Sequence, residues 1–80
     1  MDKTSIFNVA ALRQEMILLI LNEVISSLEK KGYNAENQIV GWLLTDDASY
    51  ISSYEGAREK IKSLKREEVL LALIKNYEGK

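Results

Sequence analysis

The amino-acid sequence predicts an all-α protein, a small bundle of about four helices. Apolar residues recur at spacings of three and four, and strand-like alternation is absent. The 80-residue chain has no proline to interrupt a helix, and its length suits a single domain. A core in so short a chain rarely supplies more than about 3–5 kcal/mol of net stability. With no cysteine for disulfides, self-association is the expected stabiliser.

The beginning of the chain divides a tail from the helical domain. Residues 1–8 are mostly polar and are predicted to form a flexible N-terminal tail, and residues 9–80 to form one domain. The first helix is expected to begin near Val9 or Ala10. Asn8 is the expected N-cap, since its side-chain oxygen can accept a hydrogen bond from a first-turn amide.

The first helix is predicted to end at Lys31, where Gly32 suits the left-handed residue that follows many helices. Its apolar residues occupy more than one face, which is too much for three short partner helices to cover. A tightly packed or intertwined homodimer, with this helix central to its interface, is therefore expected. The candidates for the dimer interface are Met16, Ile17, Leu18, Leu21 and Ile25.

The second helix is signalled by Asn34, a suitable N-cap, followed by Ala35 at the first helical position. Gly41 is expected to allow the close approach of a neighbouring helix, at a cost of about 1 kcal/mol relative to alanine. The apolar residues of this helix are expected to be buried: Ile39, Val40, Trp42, Leu43 and Leu44.

The remainder of the chain predicts a connector and two further helices. Residues 45–52 are expected to connect, with one short helical turn, and Ser52 and Glu55 have the spacing of a capping box. Helix three is predicted from Ser53 to about Leu64, and the break before helix four is poorly marked. The expected buried residues are Tyr54, Ala57, Ile61 and Leu64 in helix three, and Val69, Leu70, Leu73, Ile74 and Tyr77 in helix four.

Residues that could support catalysis are few. The chain has no histidine and no cysteine, so it lacks the usual general base, the commonest metal ligand and a thiolate. An oxygen-only metal site from Asp46, Asp47 and Glu55 is conceivable, but adjacent acids are better interpreted as caps. No glycine-rich phosphate loop occurs. The sequence predicts a protein that is not an enzyme and has no cofactor and no metal.

The charge balance bears on partners and location. The formal net charge is −1, whereas nucleic-acid-binding domains usually carry a basic excess. One segment, residues 58–66, is rich in basic residues although acidic residues interrupt it, and it leaves a nucleic-acid accessory protein as an alternative. The longest apolar run, residues 16–21, is far too short to span a bilayer, and no secretory signal begins the chain, which favours the cytoplasm. The basic residues concerned are Arg58, Lys60, Lys62, Lys65 and Arg66.

Two other groups of residues suggest interactions. A helical protein-interaction module is a second alternative, with a peptide or helix held by a polar and aromatic cluster. The candidates for partner binding in this cluster are Tyr33, Asn37, Gln38 and Trp42.

Hydroxyls at Thr4 and Ser5 lie in the predicted tail, where an extended segment could fit a kinase cleft.

The segment "KGYNAENQIVGWLLTDDASYISSYEGAREKIKSL" resembles the IreB family of small regulatory phosphoproteins of Gram-positive bacteria. The family pattern contains K-G-Y-N-P-x-N-Q-I-V-G, then D-P-A-Y and Y-x-x-A-R-x-x-I. This chain departs from it at Ala35, Asp46 and Ala48, where the family has Pro, Gly and Pro. The matching residues are Lys31, Gly32, Tyr33, Asn34, Asn37, Gln38, Ile39, Val40, Gly41, Leu44, Asp47, Tyr50, Ile51, Tyr54, Ala57, Arg58 and Ile61.

The resemblance implies a cytoplasmic, non-catalytic homodimer. It implies a substrate of a PASTA-type Ser/Thr kinase and its cognate phosphatase, with a role in cell-envelope stress and resistance to cell-wall antibiotics. The run "TSIF" is similar to the T-x-x-F of family tails and makes Thr4 the expected phosphoacceptor, with Ser5 second. The downstream protein partner is not indicated.

Overall fold

A computed structural model describes residues 3–79 of the chain, and the side chains of residues 9–79. The described part contains helices and no strand, as predicted. Its four α-helices are α1 (Lys3–Lys30), α2 (Ala35–Thr45), α3 (Ala57–Lys62) and α4 (Arg66–Glu78). Two single turns of 3-10 helix, Ala48–Tyr50 and Tyr54–Gly56, lie between α2 and α3.

Helix α1 begins at Lys3, earlier than the predicted start near Val9 or Ala10. Asn8 lies inside the helix and is not its N-cap. Asparagine in a helix costs less than about 1 kcal/mol relative to alanine, so one asparagine does not stop a helix that neither glycine nor proline interrupts. Met1, Asp2 and Lys80 lie outside the described residues, and the division into tail and domain stays a prediction.

The end of α1 agrees with the sequence. Gly32 adopts φ +91°, the left-handed conformation that glycine tolerates best. The amide of Gly32 donates to the carbonyl of Glu29, and the amide of Tyr33 to that of Leu28, both at 2.9 Å. These two bonds form a Schellman motif, which satisfies carbonyls left free by the helix end. The turn sends the chain directly into α2.

Helix α2 begins as predicted. Asn34 is the N-cap, with φ −84° and ψ 92°, and its Oδ1 accepts from the amide of Asn37 at 3.0 Å. Ala35 occupies the first helical position and is buried. The predicted buried face is partly wrong, because Val40 and Leu44 are exposed. Only one side of α2 packs on α1 and the connector, so these two apolar side chains have no cover within the described chain.

The core forms around α1, which contacts α2, α3 and α4. The fully buried side chains come from every α-helix and from the connector, and together they form one cluster. Its members are Ile17, Leu21, Val24, Leu28, Ala35, Ile39, Trp42, Ile51, Ala57, Ile61, Leu64, Val69 and Ala72.

The start of α3 differs from the prediction. The capping box of Ser52 and Glu55 does not form, because Glu55 (φ 53°) and Gly56 (φ 75°) are both left-handed. These two residues turn the chain so that α3 begins only at Ala57. Helices α3 and α4 are separate, joined by a short turn in which the amide of Leu64 donates to the carbonyl of Ile61 at 2.9 Å.

Helix α4 buries a narrower face than predicted. Val69 and Ala72 are buried, and Leu73 is half-buried. The predicted burial of Leu70, Ile74 and Tyr77 is wrong, since all three are exposed. The face centred on Val69 and Ala72 packs on α1, and the more apolar neighbouring face is exposed in the described part of the chain.

Candidate functional site

The connector between α2 and α3, residues 46–53, is held by side chains from both helices. Oε1 of Gln38 accepts a hydrogen bond from the amide of Ser52 at 2.8 Å. Nε of Arg58 donates to the carbonyl oxygen of Ile51 at 2.7 Å. The Ile51 side chain is fully buried. The connector is therefore anchored at its backbone by two polar side chains and at its centre by an apolar one.

Local capping shapes the first half of the connector. Oδ1 of Asp47 accepts from the amide of Ser49 at 2.9 Å and caps the following 3-10 turn. Hydrogen bonds from Ser49 lower the pKa of the Asp47 carboxyl, because they favour its charged form. Oγ1 of Thr45 donates to the carbonyl of Gly41 at 2.7 Å and accepts from the amide of Asp47 at 3.2 Å.

A second cluster holds the 3-10 turn at Glu55 against the end of α1. Nζ of Lys30 lies 3.1 Å from Oε2 of Glu55. A hydrogen bond from Lys30, and a smaller contribution from Ser27, lower the pKa of the Glu55 carboxyl. The hydrogen bond between Lys30 and Glu55 also raises the pKa of the Lys30 ammonium. The ammonium of Lys31 lies 5.4 Å from the centre of the Tyr54 ring, within cation–π range. These contacts place the side chains of Tyr54 and Glu55 against the end of α1.

The predicted partner-binding residues do not share one surface. Tyr33 and Asn37 are exposed. Gln38 is half-buried and bonded to Ser52. Trp42 is 2 % exposed and belongs to the core, and its proposed contact with a partner stays a prediction. The sequence pattern alone does not distinguish a buried indole of this kind from an exposed binding site.

The basic residues of the nucleic-acid alternative are mostly occupied within the chain. Arg58 bonds the Ile51 carbonyl. Lys60 lies 3.6 Å from Glu23, and Lys62 lies 3.8 Å from Glu59. Nη1 of Arg66 donates to the Leu43 carbonyl at 3.2 Å, at the carboxyl end of α2. The two arginines are therefore bound to backbone carbonyls of the chain itself, whereas the two lysine pairs are exposed and weak.

The five candidates for the dimer interface are also divided. Ile17 and Leu21 are buried against the chain's own helices. Leu18 and Ile25 are half-buried at the edge of the core. Met16 is exposed. Helix α1 contacts three other helices of the described chain, and the place of these five residues in a dimer interface stays a prediction.

Within residues 9–79 two apolar surfaces remain open, the α1 stripe and the groove. The helical periodicity predicted that much of the groove belongs to the core. The α1 stripe consists of Val9, Leu12, Met16 and Leu19, spaced by three and four along one face. The groove is an apolar depression between α2 and α4. It is lined by Leu21, Ile25, Glu36, Ile39, Val40, Leu43 and Leu73.

The described residues offer little for metal or membrane chemistry. In residues 3–79 no group of three or more acidic side chains could hold a metal ion, and Asp46, Asp47 and Glu55 do not form one. Within the same range, every helix is too short or too polar to cross a bilayer. The side chains of Thr4 and Ser5, the predicted phosphoacceptors, lie outside the described part, while their backbone belongs to the first turn of α1.

The chain was compared with the sequence models of known protein families. The model of the IreB regulatory phosphoprotein family matches residues 2–78, nearly the whole chain. The chain therefore belongs to the IreB family of regulatory phosphoproteins. Several residues that carried the resemblance now have structural roles: Asn34 caps α2, while Gln38, Asp47 and Arg58 hold the connector.

Proposed function

We propose that this protein is a non-catalytic regulatory phosphoprotein. A PASTA-type Ser/Thr kinase phosphorylates it at Thr4, and the cognate phosphatase removes the phosphate. The observation that carries the proposal is the family match over residues 2–78, which includes Thr4 in the run "TSIF". Ser5 is the second candidate. We propose that the protein acts in the cytoplasm on cell-envelope stress and resistance to cell-wall antibiotics, through a downstream protein.

The chemistry of the side chains supports a non-catalytic role. The chain contains neither histidine nor cysteine. Its best-ordered carboxylates serve as structural partners: Asp47 caps a turn, Glu55 pairs with Lys30, and Glu68 pairs with Arg13 at 2.9 Å. None of these faces a second carboxylate in a cleft, which general acid–base catalysis by paired acids needs.

Assembly as a homodimer is part of the proposal. Among residues 9–79, whose side chains are described, twelve large apolar side chains are exposed, which is a large number for 71 residues. Contiguous exposed apolar surface usually marks an interaction site. A second copy would cover such surface and add the stability that a core of this size rarely supplies alone.

The phosphorylation is tested with the purified chain and the purified catalytic domain of a PASTA-type kinase. We expect mass spectrometry to find one phosphate, on Thr4, and none on Thr4→Ala. Ser5→Ala is the matched control and should be modified like the wild type. A wild-type chain that stays unmodified, or a Thr4→Ala chain modified to the same extent, contradicts the proposal.

The consequence of the phosphate is tested by NMR. Phosphorylation adds about 1.5 to 2 negative charges, and α1 begins at Lys3, so the phosphate would meet the free amides at the amino end of this helix. The free amides at this end of α1 are those of residues 3–6, so we expect the largest amide shifts there, with protection of these amides from exchange. A change confined to Thr4 itself, with no added protection of the first-turn amides, would instead favour direct recognition of the phosphate by a partner.

The cellular role requires its own experiment. We expect a strain carrying Thr4→Ala to differ from wild type in its survival of a cell-wall antibiotic, whereas a strain carrying Ser5→Ala should not. The same strains also test the downstream partner, because a partner that depends on the phosphate is co-purified by wild type and not by Thr4→Ala. Equal survival of all three strains would contradict the proposed role in resistance.

A second candidate function is a protein-interaction module, favoured by the adjacent exposure of Tyr33 and Asn37, four residues apart at the start of α2. It is compatible with the first function. Nucleic-acid binding is disfavoured by the occupied basic side chains, and a gel shift at low salt, where phosphate contacts are strongest, should stay blank.

A further inference from the structure

The first turns of α1 consist of residues that favour a helix poorly. Residues 4–9 have the sequence TSIFNV, and all six residue types belong to the lower part of the helix-propensity scale. Residues 10–16 have the sequence AALRQEM, and all seven belong to the best helix formers. The propensity of α1 therefore changes abruptly between Val9 and Ala10. We call residues 4–9 the start segment.

The core supports α1 only after the start segment. Every side chain from Val9 to Arg13 is exposed, and within residues 9–79 the first buried residue of α1 is Ile17. In the same range, the first hydrogen bond from α1 to another helix joins Arg13 to Glu68. Among the described side chains, α1 is therefore anchored only from Arg13 onwards.

A helix end without such anchoring frays at little cost. Each residue added to an existing helix multiplies its statistical weight by only about 1–1.6 even for good helix formers, so poor formers gain little. Unwinding of the start segment removes six residues of helix and leaves the whole buried cluster in place, because that cluster begins at Ile17. The start segment can therefore unwind while the rest of the chain stays folded.

We infer that the start segment unwinds to admit the kinase, so that the helix–coil equilibrium of residues 4–9 sets the rate at which Thr4 is phosphorylated. The inference rests on the proposed function and adds the regulation of its site. A kinase cleft takes an extended segment on both sides of the hydroxyl, whereas the backbone of Thr4 lies in the first turn of α1. The substrate is therefore the fraction of molecules whose start segment is unwound.

The phosphoryl transfer itself is the ordinary reaction of a kinase. In the unwound state the γ-phosphoryl group of ATP passes to the hydroxyl oxygen of Thr4, the hydroxyl proton passes to the kinase, and ADP leaves. The helix does not alter this chemistry. It lowers the observed rate by the fraction of time that the start segment spends in the helical state.

The chain contains one other threonine, Thr45, in a segment that cannot unwind alone. Thr45 is the last residue of α2, and its Oγ1 donates to the carbonyl of Gly41 at 2.7 Å and accepts from the amide of Asp47 at 3.2 Å. Helix α2 carries the buried residues Ile39 and Trp42. Extension of this segment in a kinase cleft would disturb the core, so we expect no phosphate on Thr45.

The test changes one residue of the start segment in both directions. The backbone of Asn8 lies within α1, and alanine is a better and glycine a poorer helix former than asparagine. Asn8→Ala should lower kcat/KM for phosphorylation of Thr4 about threefold, and Asn8→Gly should raise it about twofold. The full chain is treated with the purified catalytic domain of a PASTA-type kinase, and mass spectrometry follows the phosphate.

Asn22 provides the matched control in the anchored part of α1. It is exposed and lies between the buried residues Leu21 and Val24. Asn22→Ala and Asn22→Gly make the same changes of helix propensity as the Asn8 variants. They should alter the stability of the fold and leave kcat/KM at Thr4 unchanged.

Amide hydrogen exchange measures the unwinding without the kinase. The amides of residues 7–9 are bonded within the helix, unlike those of its first turn. These amides should exchange faster in Asn8→Gly than in wild type, and more slowly in Asn8→Ala, in proportion to the phosphorylation rates. The amides that follow Ile17 should exchange alike in all three chains, which shows that the fold is intact.

The possible outcomes separate the inference from the proposed function. Two Asn8 variants that change kcat/KM in the same direction would show that the kinase reads this side chain directly. Equal rates in wild type and both Asn8 variants, or equal effects at Asn22, would show that the start segment does not limit the reaction. Each of these results overturns the inference and leaves phosphorylation of Thr4 standing. A wild-type chain that stays unmodified contradicts the proposed function itself.

Discussion

The ring of Tyr50 lies directly against the backbone of Gly41. A Cβ added to Gly41 would be 2.5 Å from Cδ1 of Tyr50 and 3.0 Å from its Cγ. The sequence predicted that Gly41 admits a neighbouring helix, but the neighbour is this aromatic ring of the connector. The two residues therefore fix where the connector crosses α2.

Gly41→Ala should destabilise the fold by about 1–2 kcal/mol, because overpacking costs more than the roughly 1 kcal/mol of helix propensity that alanine gains. The contact involves atoms close to the Tyr50 backbone, which cannot move away as a side-chain end can. In a Tyr50→Ala background the same change should stabilise the fold. Urea unfolding of the four chains measures both effects, and a destabilisation that persists without the Tyr50 ring would refute the steric explanation.

Asn34→Ala should cost about 0.5–2 kcal/mol, the usual loss for an N-cap. Asn37→Ala is the matched control, since its side chain is exposed and only its backbone amide contacts Asn34. We expect that control to change stability by less than about 0.5 kcal/mol. Thermal unfolding compares the two variants. A large loss at Asn37 would identify its side chain as structural and would remove it from the partner-binding candidates.

Asp46→Gly should stabilise the fold by about 0.5–1 kcal/mol. Asp46 has φ 59° and ψ 26°, a left-handed conformation that costs a residue with a Cβ and that glycine adopts freely. The ion pair that would be lost is weak, since Nε of Arg66 lies 3.9 Å from Oδ2. Asp46→Ala removes the charge and keeps the Cβ, so it should give no gain. Equal stabilisation by both variants would show that charge, and not conformation, is responsible.

The pair of Lys30 and Glu55 should make stability depend on pH. The hydrogen bond from Lys30 lowers the pKa of Glu55 in the folded chain relative to the unfolded chain. The pair therefore stabilises the fold at neutral pH, and this stabilisation is lost as the pH falls through the lowered pKa. NMR titration of the Glu55 carboxyl in Lys30→Met should show its pKa raised towards the ordinary value. Lys31→Met, the neighbouring control, should leave the pKa of Glu55 unchanged, and an equal rise in both variants would contradict the assignment.

The parts of the fold that the sequence predicted correctly are those that depend on near neighbours. The turn at Gly32 and the cap at Asn34 each involve partners within five residues, so their residue types are sufficient to identify them. The side chain of Glu55 pairs instead with Lys30, 25 residues earlier in the chain. No local pattern contains that pairing, whereas the capping-box prediction assumed that Glu55 would bond the backbone of Ser52.

The spacing of apolar residues also could not predict which apolar side chains are exposed in the folded chain. The spacing of Leu70, Ile74 and Tyr77 correctly indicates one face of a helix, but it does not say whether that face meets this chain or another molecule. The side chain of Trp42 poses the converse problem, because its burial depends on where α1 lies. The sequence therefore predicted which helices form and could not assign each face to the core or to an interface.

The order of the helices, with α1 before the three helices that pack on it, has a consequence during synthesis. Every other helix packs on α1, and neither the 11-residue α2 nor the 6-residue α3 is long enough to be stable alone. At 5–20 residues per second, the ribosome needs about 2 to 10 seconds to add residues 31–79 after α1 is complete. Until α4 has been added and has left the ribosome, the side chains of Ile17, Val24 and Leu28 lack part of the cover that they have in the folded chain. Completion of the core therefore has to wait for the end of synthesis.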